Sequence, residues 1–170
     1  MSLPGMEEND GNLFPLGIGF LVTTLKERHE VKALHYAHMS EAKNDLPQVL
    51  ESFMPDGIGL TCTSFNRKNV KKTILLLKEI CPDAKIIVGG VHASFCAEQV
   101  LKYYKADIVI IGEGEITLPE VCDTLDNKAS LHEVPGIAFI ENDSFVQTAE
   151  RMNISHLDEL PSPDYTYAES

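Results

Sequence analysis

"KIIVGGVHAS", residues 85–94, joins a run of β-branched side chains to two consecutive glycines. The run 86–88 predicts a buried strand, because β-branched residues pack well on a covered, pleated surface and are stiff at χ1. Gly89 and Gly90 end this strand, since glycine allows a tight turn or the close approach of a ligand. The turn therefore has two interpretations, a ligand loop or an ordinary connection to a helix.

The flanking sequence repeats this pattern of an apolar strand followed by a helix. The predicted helices cover residues 16–28, 46–54, 66–81, 95–104 and a segment after residue 111, and the predicted strands cover residues 30–36, 57–63, 85–88 and 107–111. Residues 134–140 and 144–148 predict a hairpin around Asn142-Asp143. The alternation predicts an α/β fold of the Rossmann-like, flavodoxin type: a doubly wound, mostly parallel sheet with helices on both faces, plus a C-terminal β-hairpin.

Composition limits the classes of function. The chain has 170 residues, of which 44% are apolar, and this suits one domain with one core. A formal charge of −12 would repel phosphate backbones and anionic membrane surfaces. No apolar stretch approaches the roughly 20 residues of a membrane span, and the first residues do not resemble a signal peptide. We therefore expect a cytoplasmic protein that binds neither nucleic acid nor membranes.

The four cysteines do not form a metal-binding pattern. They are Cys62, Cys81, Cys96 and Cys122, scattered singly along the chain. Buried, reduced thiols are the favoured interpretation, because free cysteine is among the most buried residue types. We assign neither a metal ligand nor a catalytic residue.

Polar side chains and glycines follow three of the predicted strands. Parallel sheets of this class bind ligands outside the carboxyl ends of their strands, so we expect the three loops to lie along one edge. The candidate binding residues are Thr61, Thr63 and Ser64 in the first loop, Gly89, Gly90, Val91, His92 and Ser94 in the second, and Gly112, Glu113 and Gly114 in the third. Taken singly, each also has an ordinary explanation, such as a hydroxyl that satisfies the backbone at a strand end.

Familiar catalytic patterns are absent from the sequence. It contains no G-x-x-x-x-G-K-S/T phosphate loop and no G-x-S-x-G nucleophile turn. The nearest dinucleotide fingerprint, Gly112-x-Gly114-x-x-Thr117, has threonine in place of the third glycine. Glu113 and Glu115 would repel a pyrophosphate there, although carboxylates also suit a helix N-terminus. An enzyme that binds NAD or flavin stays open as an alternative.

Six segments, taken in order, resemble one family. They are FPLGIGFLVTTLKER (14–28), GIGLTCTS (57–64), IIVGGVHAS (86–94), DIVIIGEGEITLPE (107–120), VPGIAFI (134–140) and LDELPSPDY (157–165). Together they resemble the cobalamin-binding domain that precedes the catalytic barrel of radical S-adenosylmethionine enzymes. That group contains methyltransferases and the anaerobic magnesium-protoporphyrin monomethyl ester cyclase. The resemblance implies cobalamin as the cofactor, used for methyl transfer or oxidative cyclisation.

The wider cobalamin-binding fold has the pattern D-x-H-x-x-G, then S-x-L, then G-G. Gly89-Gly90 matches the last element, and Thr61 stands where the serine of S-x-L would lie. Residues 14–19 fall where D-x-H-x-x-G would lie, and only the final glycine matches. The resemblance therefore implies cobalamin bound base-off, with no histidine from that motif on cobalt. Leu16 and Gly17 would lie at the lower corrin face, and His92 near the corrin rim or the nucleotide tail.

The resemblance also implies how the chain is divided. Residues 1–12 are expected to be a disordered leader or a cloning remnant, without the family's first strand. Residues 13–150 would be the cobalamin-binding domain, and residues 151–170 a linker or docked tail toward a radical S-adenosylmethionine domain absent from this chain. S-Adenosylmethionine and a 4Fe–4S cluster would belong to that domain, so this fragment alone would bind cobalamin and catalyse nothing. A homodimer and a degenerate scaffold domain stay open as alternatives.

Overall fold

The computed structural model describes residues 1, 3, 15–36, 38–152, 154–155, 160–164 and 166, so most of the predicted leader lies outside it. The helices are α1 (Leu16–Leu25), α2 (Met39–Phe53), α3 (Arg67–Ile80), α4 (Val91–Phe95), α5 (Ala97–Gln99) and α6 (Gly114–Asp126). Helix α5 continues into a π-helical turn (Val100–Tyr104), and a 3-10 turn covers Leu131–Glu133. The strands are β1 (Gly57–Thr61), β2 (Lys85–Gly89), β3 (Ile108–Ile110), β4 (Ile137–Glu141) and β5 (Ser144–Gln147).

The strands form one mixed sheet in the order β1-β2-β3-β4-β5. The first three are parallel, with Leu60 opposite Val88 and Val88 opposite Val109. Strand β4 pairs antiparallel with β3, and β5 pairs antiparallel with β4. The short loop between β4 and β5 can join only antiparallel neighbours. The predicted α/β class is confirmed, and the C-terminal hairpin makes the sheet mixed.

Helices cover both faces of the sheet, and the alternation of side chains along the strands explains why. Ile86 and Val88 belong to a core shared with α2 and α3, whereas Ile87 between them belongs to a second core shared with α6. In β3, Val109 joins the first core and the residues on either side of it join the second. Burying an aliphatic side chain of this size contributes roughly 1.5–3 kcal/mol. Both faces of the sheet are therefore stabilised by apolar packing.

Most predicted elements form, with shifted boundaries. The hairpin turn is confirmed: Asn142 and Asp143 have φ values of 48° and 61°, the positive angles that a two-residue hairpin loop requires. Helix α2 begins at Met39, well before the predicted start. The helix after β2 begins at Val91, directly after Gly90, and not near residue 95. The second candidate loop is therefore shorter than predicted, and part of it is helical.

The predicted strand at residues 30–36 was wrong, because only an isolated bridge forms within that segment. A strand requires a neighbour, and the described residues beside the outer edge of β1 come from the start of the chain. The Met1 amine donates to the Gly59 carbonyl (2.5 Å), and Thr61 N–H donates to the Met1 carbonyl (3.1 Å). Leu3 packs in the first core and is 4% exposed. The alternating pattern of residues 30–36 therefore does not produce a strand.

Helix α1 lies beside α6 and runs in the same direction. A Cβ on Gly114, at the start of α6, would lie 3.1 Å from Leu21. Arg28, beyond the end of α1, pairs with Asp123 near the end of α6. Because α1 begins at Leu16, its first turn extends past the start of α6 by roughly 7 Å, at about 1.5 Å per residue. The first turn of α1 therefore reaches the edge of the sheet at which β3 ends.

Residues 160–164 dock on α1, a contact that we call the clasp. Asp164 N–H donates to the Gly19 carbonyl (3.1 Å), and the Asp164 carboxylate pairs with Lys26 Nζ (2.6 Å). A Cβ on Gly19 would lie 3.0 Å from both the Asp164 carbonyl oxygen and Pro163 Cβ, so a larger residue would force the segment away. This part of the predicted linker is held against the domain.

The contacts of the clasp give the Asp164 carboxyl group an unusually low pKa. The hydrogen bond from Lys26, with those from Thr166, lowers the pKa of Asp164 to about 2. Because the pKa is lowered in the folded state, the stabilisation from this pairing is fully present above the ordinary aspartate pKa of about 4. It is lost as the pH falls through 2. In a carbon-13 NMR titration, we expect Asp164 to titrate near pH 2 and Lys26→Met to raise that midpoint.

Lys102→Met is the matched control for this titration. Lys102 pairs with Glu98 on the surface (2.6 Å), so its loss should leave the midpoint of Asp164 unchanged. An ordinary aspartate midpoint in the unmodified chain would show that the clasp does not form in solution.

Candidate cofactor site at the carboxyl ends of the parallel strands

The loops after β1 and β2 are joined by backbone hydrogen bonds. Cys62 N–H donates to the Gly89 carbonyl (2.8 Å), and His92 N–H donates to the Cys62 carbonyl (3.1 Å). These bonds extend the parallel pairing, in which Thr61 lies opposite Gly89. Two of the three candidate loops therefore lie side by side at one edge, as predicted.

Ser94 joins the loop after β3 to the same edge. Its Oγ donates to the Gly90 carbonyl (3.2 Å) and accepts from Gly112 N–H (3.0 Å). Gly112 has a φ of +82°, and a Cβ there would find nothing within 4 Å, so this loop borders open space. The prediction that the three loops share one edge is confirmed.

Gly90 permits the close contact between the first two loops. Its backbone angles are φ +96° and ψ 171°, a region that is essentially restricted to glycine. A Cβ at this position would lie 2.8 Å from the Cys62 carbonyl oxygen and 3.1 Å from Thr61 Oγ1. The requirement for glycine here comes from backbone packing within the protein.

Asn66 organises the first loop through its side chain. It stands at the N-cap of α3, but its side chain makes no capping hydrogen bond. Instead, its Oδ1 accepts from Thr63 N–H (2.8 Å), and its Nδ2 donates to the carbonyls of Thr61 (3.1 Å) and Leu3 (3.3 Å). Asn66 is 4% exposed, so the amide ties the loop after β1 to the core. The long-range contact with Leu3 carries no local sequence signal.

His92 lies between two hydroxyl groups. Its Nδ1 is 3.4 Å from Ser64 Oγ, and its Nε2 is 3.4 Å from Tyr104 Oη. Burial, with a smaller effect from the nearby Arg67 charge, lowers the pKa of His92. Burial also raises the pKa of Tyr104, so a neutral imidazole and a protonated phenol meet at this point. Sequence reasoning had no means to detect Tyr104 as a member of this group.

Glu113 and Gly114 stand at the same edge but make contacts within the protein. Glu113 Oε2 accepts from Ile154 N–H (2.7 Å), and Gly114 allows the close approach of Leu21 described above. The Glu113 carboxylate is thus directed at the C-terminal segment. This contact accounts for a glutamate at position 113 without requiring a bound ligand.

Four exposed apolar side chains stand around this edge. They are Leu16 (51% exposed), Phe65 (75%), Val91 (67%) and Phe95 (86%). Contiguous apolar exposure marks a ligand or partner surface, whereas single exposed residues need no explanation. An apolar rim with hydroxyl donors and glycines between its members fits a large, flat cofactor fringed with amides, such as cobalamin.

The described residues offer neither an activated thiol nor a metal cluster at this edge. Burial raises the pKa of the Cys62 thiol to about 11, so it stays protonated at neutral pH. In the described part of the chain, no group of three or more His, Cys, Asp or Glu side chains could hold a metal ion. Within the same ranges, none of the helices has the length and apolar character needed to cross a membrane.

Comparisons with known proteins agree with this geometry. The chain matches the family model of the B12 binding domain over residues 6–122. It is 28% identical over 152 residues to an uncharacterized methyltransferase of Pyrococcus horikoshii, covering 89% of this chain and 33% of that protein. It is 29% identical over 170 residues to the anaerobic magnesium-protoporphyrin IX monomethyl ester cyclase of Cereibacter sphaeroides, covering 95% of this chain and 27% of that protein. Among solved structures it is similar to the cobalamin-dependent S-adenosylmethionine radical enzyme OxsB with aqua-cobalamin and S-adenosylmethionine bound, with 25% identity and a TM-score of 0.76, covering 89% of this chain and 21% of that one.

An α/β fold with three converging loops at the carboxyl ends of parallel strands defines a cofactor-binding domain of the Rossmann-like class. Within that class, the chain belongs to the B12-binding domain family, and the match extends from before α1 into α6. The resemblance seen in the six sequence segments and its cofactor, cobalamin, are confirmed. The chain spans about a third or less of the length of the curated relatives described here.

Proposed function

We propose that this chain holds cobalamin for a radical S-adenosylmethionine enzyme that carries out methyl transfer or oxidative cyclisation. The convergence of the three loops at one open edge is the observation that supports this function. The catalytic steps would belong to a separate radical domain with S-adenosylmethionine and a 4Fe–4S cluster. When bound, cobalamin supplies a cobalt centre that changes oxidation state and carries a methyl group.

Two kinds of residue would hold the cofactor. Hydroxyls and backbone amides would bind its amide fringe, and glycines and apolar side chains would lie against its flat surfaces. The proposed binding residues are Leu16, Gly17, Thr61, Thr63, Ser64, Gly89, Gly90, Val91, His92, Ser94 and Gly112, with Glu113 and Gly114 shaping the wall through their internal contacts. A Cβ on Gly17 would find nothing within 4 Å, which leaves space beside the first turn of α1.

We further propose that cobalamin is bound base-off and without a protein ligand on cobalt. The first turn of α1 presents Leu16 and Gly17, neither of which can ligate a metal. His92 is an imidazole at this edge, and both of its ring nitrogens already have hydroxyl partners. Reduction of the bound cofactor is therefore expected to give a base-off cob(II)alamin spectrum.

Retention of hydroxocobalamin tests the proposed function. The purified chain would be mixed with hydroxocobalamin, passed through a gel-filtration column and examined by visible and EPR spectroscopy, with and without reductant. We expect about one corrin per chain. Leu16→Asp should weaken retention by at least about tenfold, because it places a charge against the apolar cofactor face, a cost of more than about 1.4 kcal/mol.

Leu75→Asp is the matched control, since Leu75 is exposed to a similar extent (46%) but lies on α3. Its cobalamin retention should equal that of the unmodified chain. Failure of the unmodified chain to retain any corrin would contradict the proposed function, and nitrogen splitting from a coordinated histidine in the EPR spectrum would contradict the base-off proposal.

We also propose a cytoplasmic location and a radical domain as the main protein partner. The formal charge of −12 supports this proposal, because it disfavours contact with nucleic acid and with anionic membranes. A homodimer is a further proposal, tested by light scattering of the cobalamin-loaded protein.

A further inference from the structure

The imidazole ring of His92 is fixed by contacts on several sides. The loop after β1 contributes Ser64, and the π-helical turn contributes Tyr104, each 3.4 Å from one ring nitrogen. The rings of His92 and Tyr104 are close to parallel, with an interplanar angle of 13° and centroids 6.4 Å apart. The backbone N–H of His92 is held by the Cys62 carbonyl. The ring therefore has little freedom to turn toward a ligand.

The partners of the ring decide which nitrogen carries the proton. A neutral imidazole has one donor and one acceptor, so the two hydroxyls must play opposite parts. If Tyr104 donates to Nε2, then Nδ1–H donates to Ser64 Oγ. The Ser64 hydroxyl is then available to donate a hydrogen bond to an acceptor outside these three residues. In the opposite arrangement, the hydroxyl of Tyr104 is the donor that needs an acceptor outside these three residues. Tyr104 is only 7% exposed, so an acceptor is harder to supply there than at exposed Ser64. The first arrangement is therefore favoured.

We propose that His92 is a positioning residue that aims the Ser64 hydroxyl at an amide carbonyl on the corrin fringe, and that it does not ligate cobalt. This inference rests on the proposed cobalamin-binding function. The hydrogen bonds run from Tyr104 through His92 to Ser64, and bonds in such a chain strengthen one another. Removal of the Tyr104 hydroxyl, which is too buried to touch the cofactor, should therefore weaken binding at Ser64.

A pair of neighbouring tyrosines allows a controlled test. Tyr104→Phe removes the hydroxyl and keeps the ring, whereas Tyr103→Phe makes the same change at a residue 67% exposed. We expect Tyr104→Phe to weaken hydroxocobalamin binding about three- to tenfold, the effect of one lost hydrogen bond, and Tyr103→Phe to leave it unchanged. The same effect of Tyr104→Phe is expected with dicyanocobinamide, which keeps the amide fringe but lacks the nucleotide tail and its phosphate.

Nitrogen-15 NMR of the cofactor-free chain provides the second readout. The His92 ring of the unmodified chain should show the Nδ1–H tautomer, and Tyr104→Phe should lose that preference. Equal affinity of Tyr104→Phe and the unmodified chain, an Nε2–H tautomer in the unmodified chain, or an effect confined to intact cobalamin would each overturn the inference. Failure of the proposed function is distinct, because the unmodified chain and both variants would then all fail to bind.

Discussion

We expect Gly90→Ala to lower the free energy of unfolding by roughly 2–5 kcal/mol and to abolish cobalamin retention. The strained backbone contributes about 1–3 kcal/mol of this loss, because alanine rarely adopts φ +96°. The remainder comes from overlap with the Cys62 carbonyl oxygen, 2.8 Å from the new Cβ, which can be relieved only by moving two loops apart. Urea unfolding measures the first effect, and gel filtration with hydroxocobalamin measures the second.

Gly59→Ala is the control for this substitution. Gly59 lies in β1, and a Cβ there would find nothing within 4 Å. Its unfolding free energy should change by no more than about 0.5 kcal/mol. If Gly90→Ala proved as stable as Gly59→Ala, the close contact between the first two loops would not exist in solution.

Asn66→Asp is expected to destabilise the domain by about 2–4 kcal/mol at neutral pH, although the two side chains have nearly the same shape. The carboxylate can still accept from Thr63 N–H, but its second oxygen faces the carbonyls of Thr61 and Leu3, where the amide donated. Two hydrogen bonds are lost, and an ionised group is buried against carbonyl dipoles. The destabilisation should be smaller at acidic pH, since a protonated carboxyl restores one donor.

Asn44→Asp makes the same chemical change at an exposed position of α2 and should shift stability by no more than about 0.5 kcal/mol. Urea unfolding of both variants at pH 7 and pH 5 gives the comparison. Equal stability of the two variants would show that the Asn66 amide does not hold the loop after β1.

Local patterns predicted the parts of the fold that depend on local physics. The hairpin formed where Asn142-Asp143 stood, because a two-residue turn is determined by the residues within it. The three candidate loops met at one edge because parallel strands place all their carboxyl ends together. The alternation of apolar and polar residues at 30–36 wrongly predicted a strand. A strand forms only where a neighbour pairs with it, and the edge of β1 is contacted by Met1.

The sequence predicted where the candidate site lies in the fold, but not the hydrogen bonds between its residues. Asn66 stands at the N-cap of α3, yet its side chain donates to the carbonyl of Leu3, which is 63 positions away in sequence. Glu113 was selected as a binding residue, yet it accepts from Ile154, 41 positions away. His92 was selected without a role, because Tyr104 is brought to it by a π-helical turn that no periodicity reveals. Contacts of this kind arise only after the chain has folded.

The clasp determines how this module can be exchanged between proteins. A chimera joined at residue 150 would leave Gly19 uncovered and Lys26 without the carboxylate of Asp164. A junction placed after residue 164 would transfer α1 together with the segment that packs on it. Recombination, whether natural or engineered, should therefore keep residues 160–164 with the cobalamin-binding domain and not with the proposed radical domain.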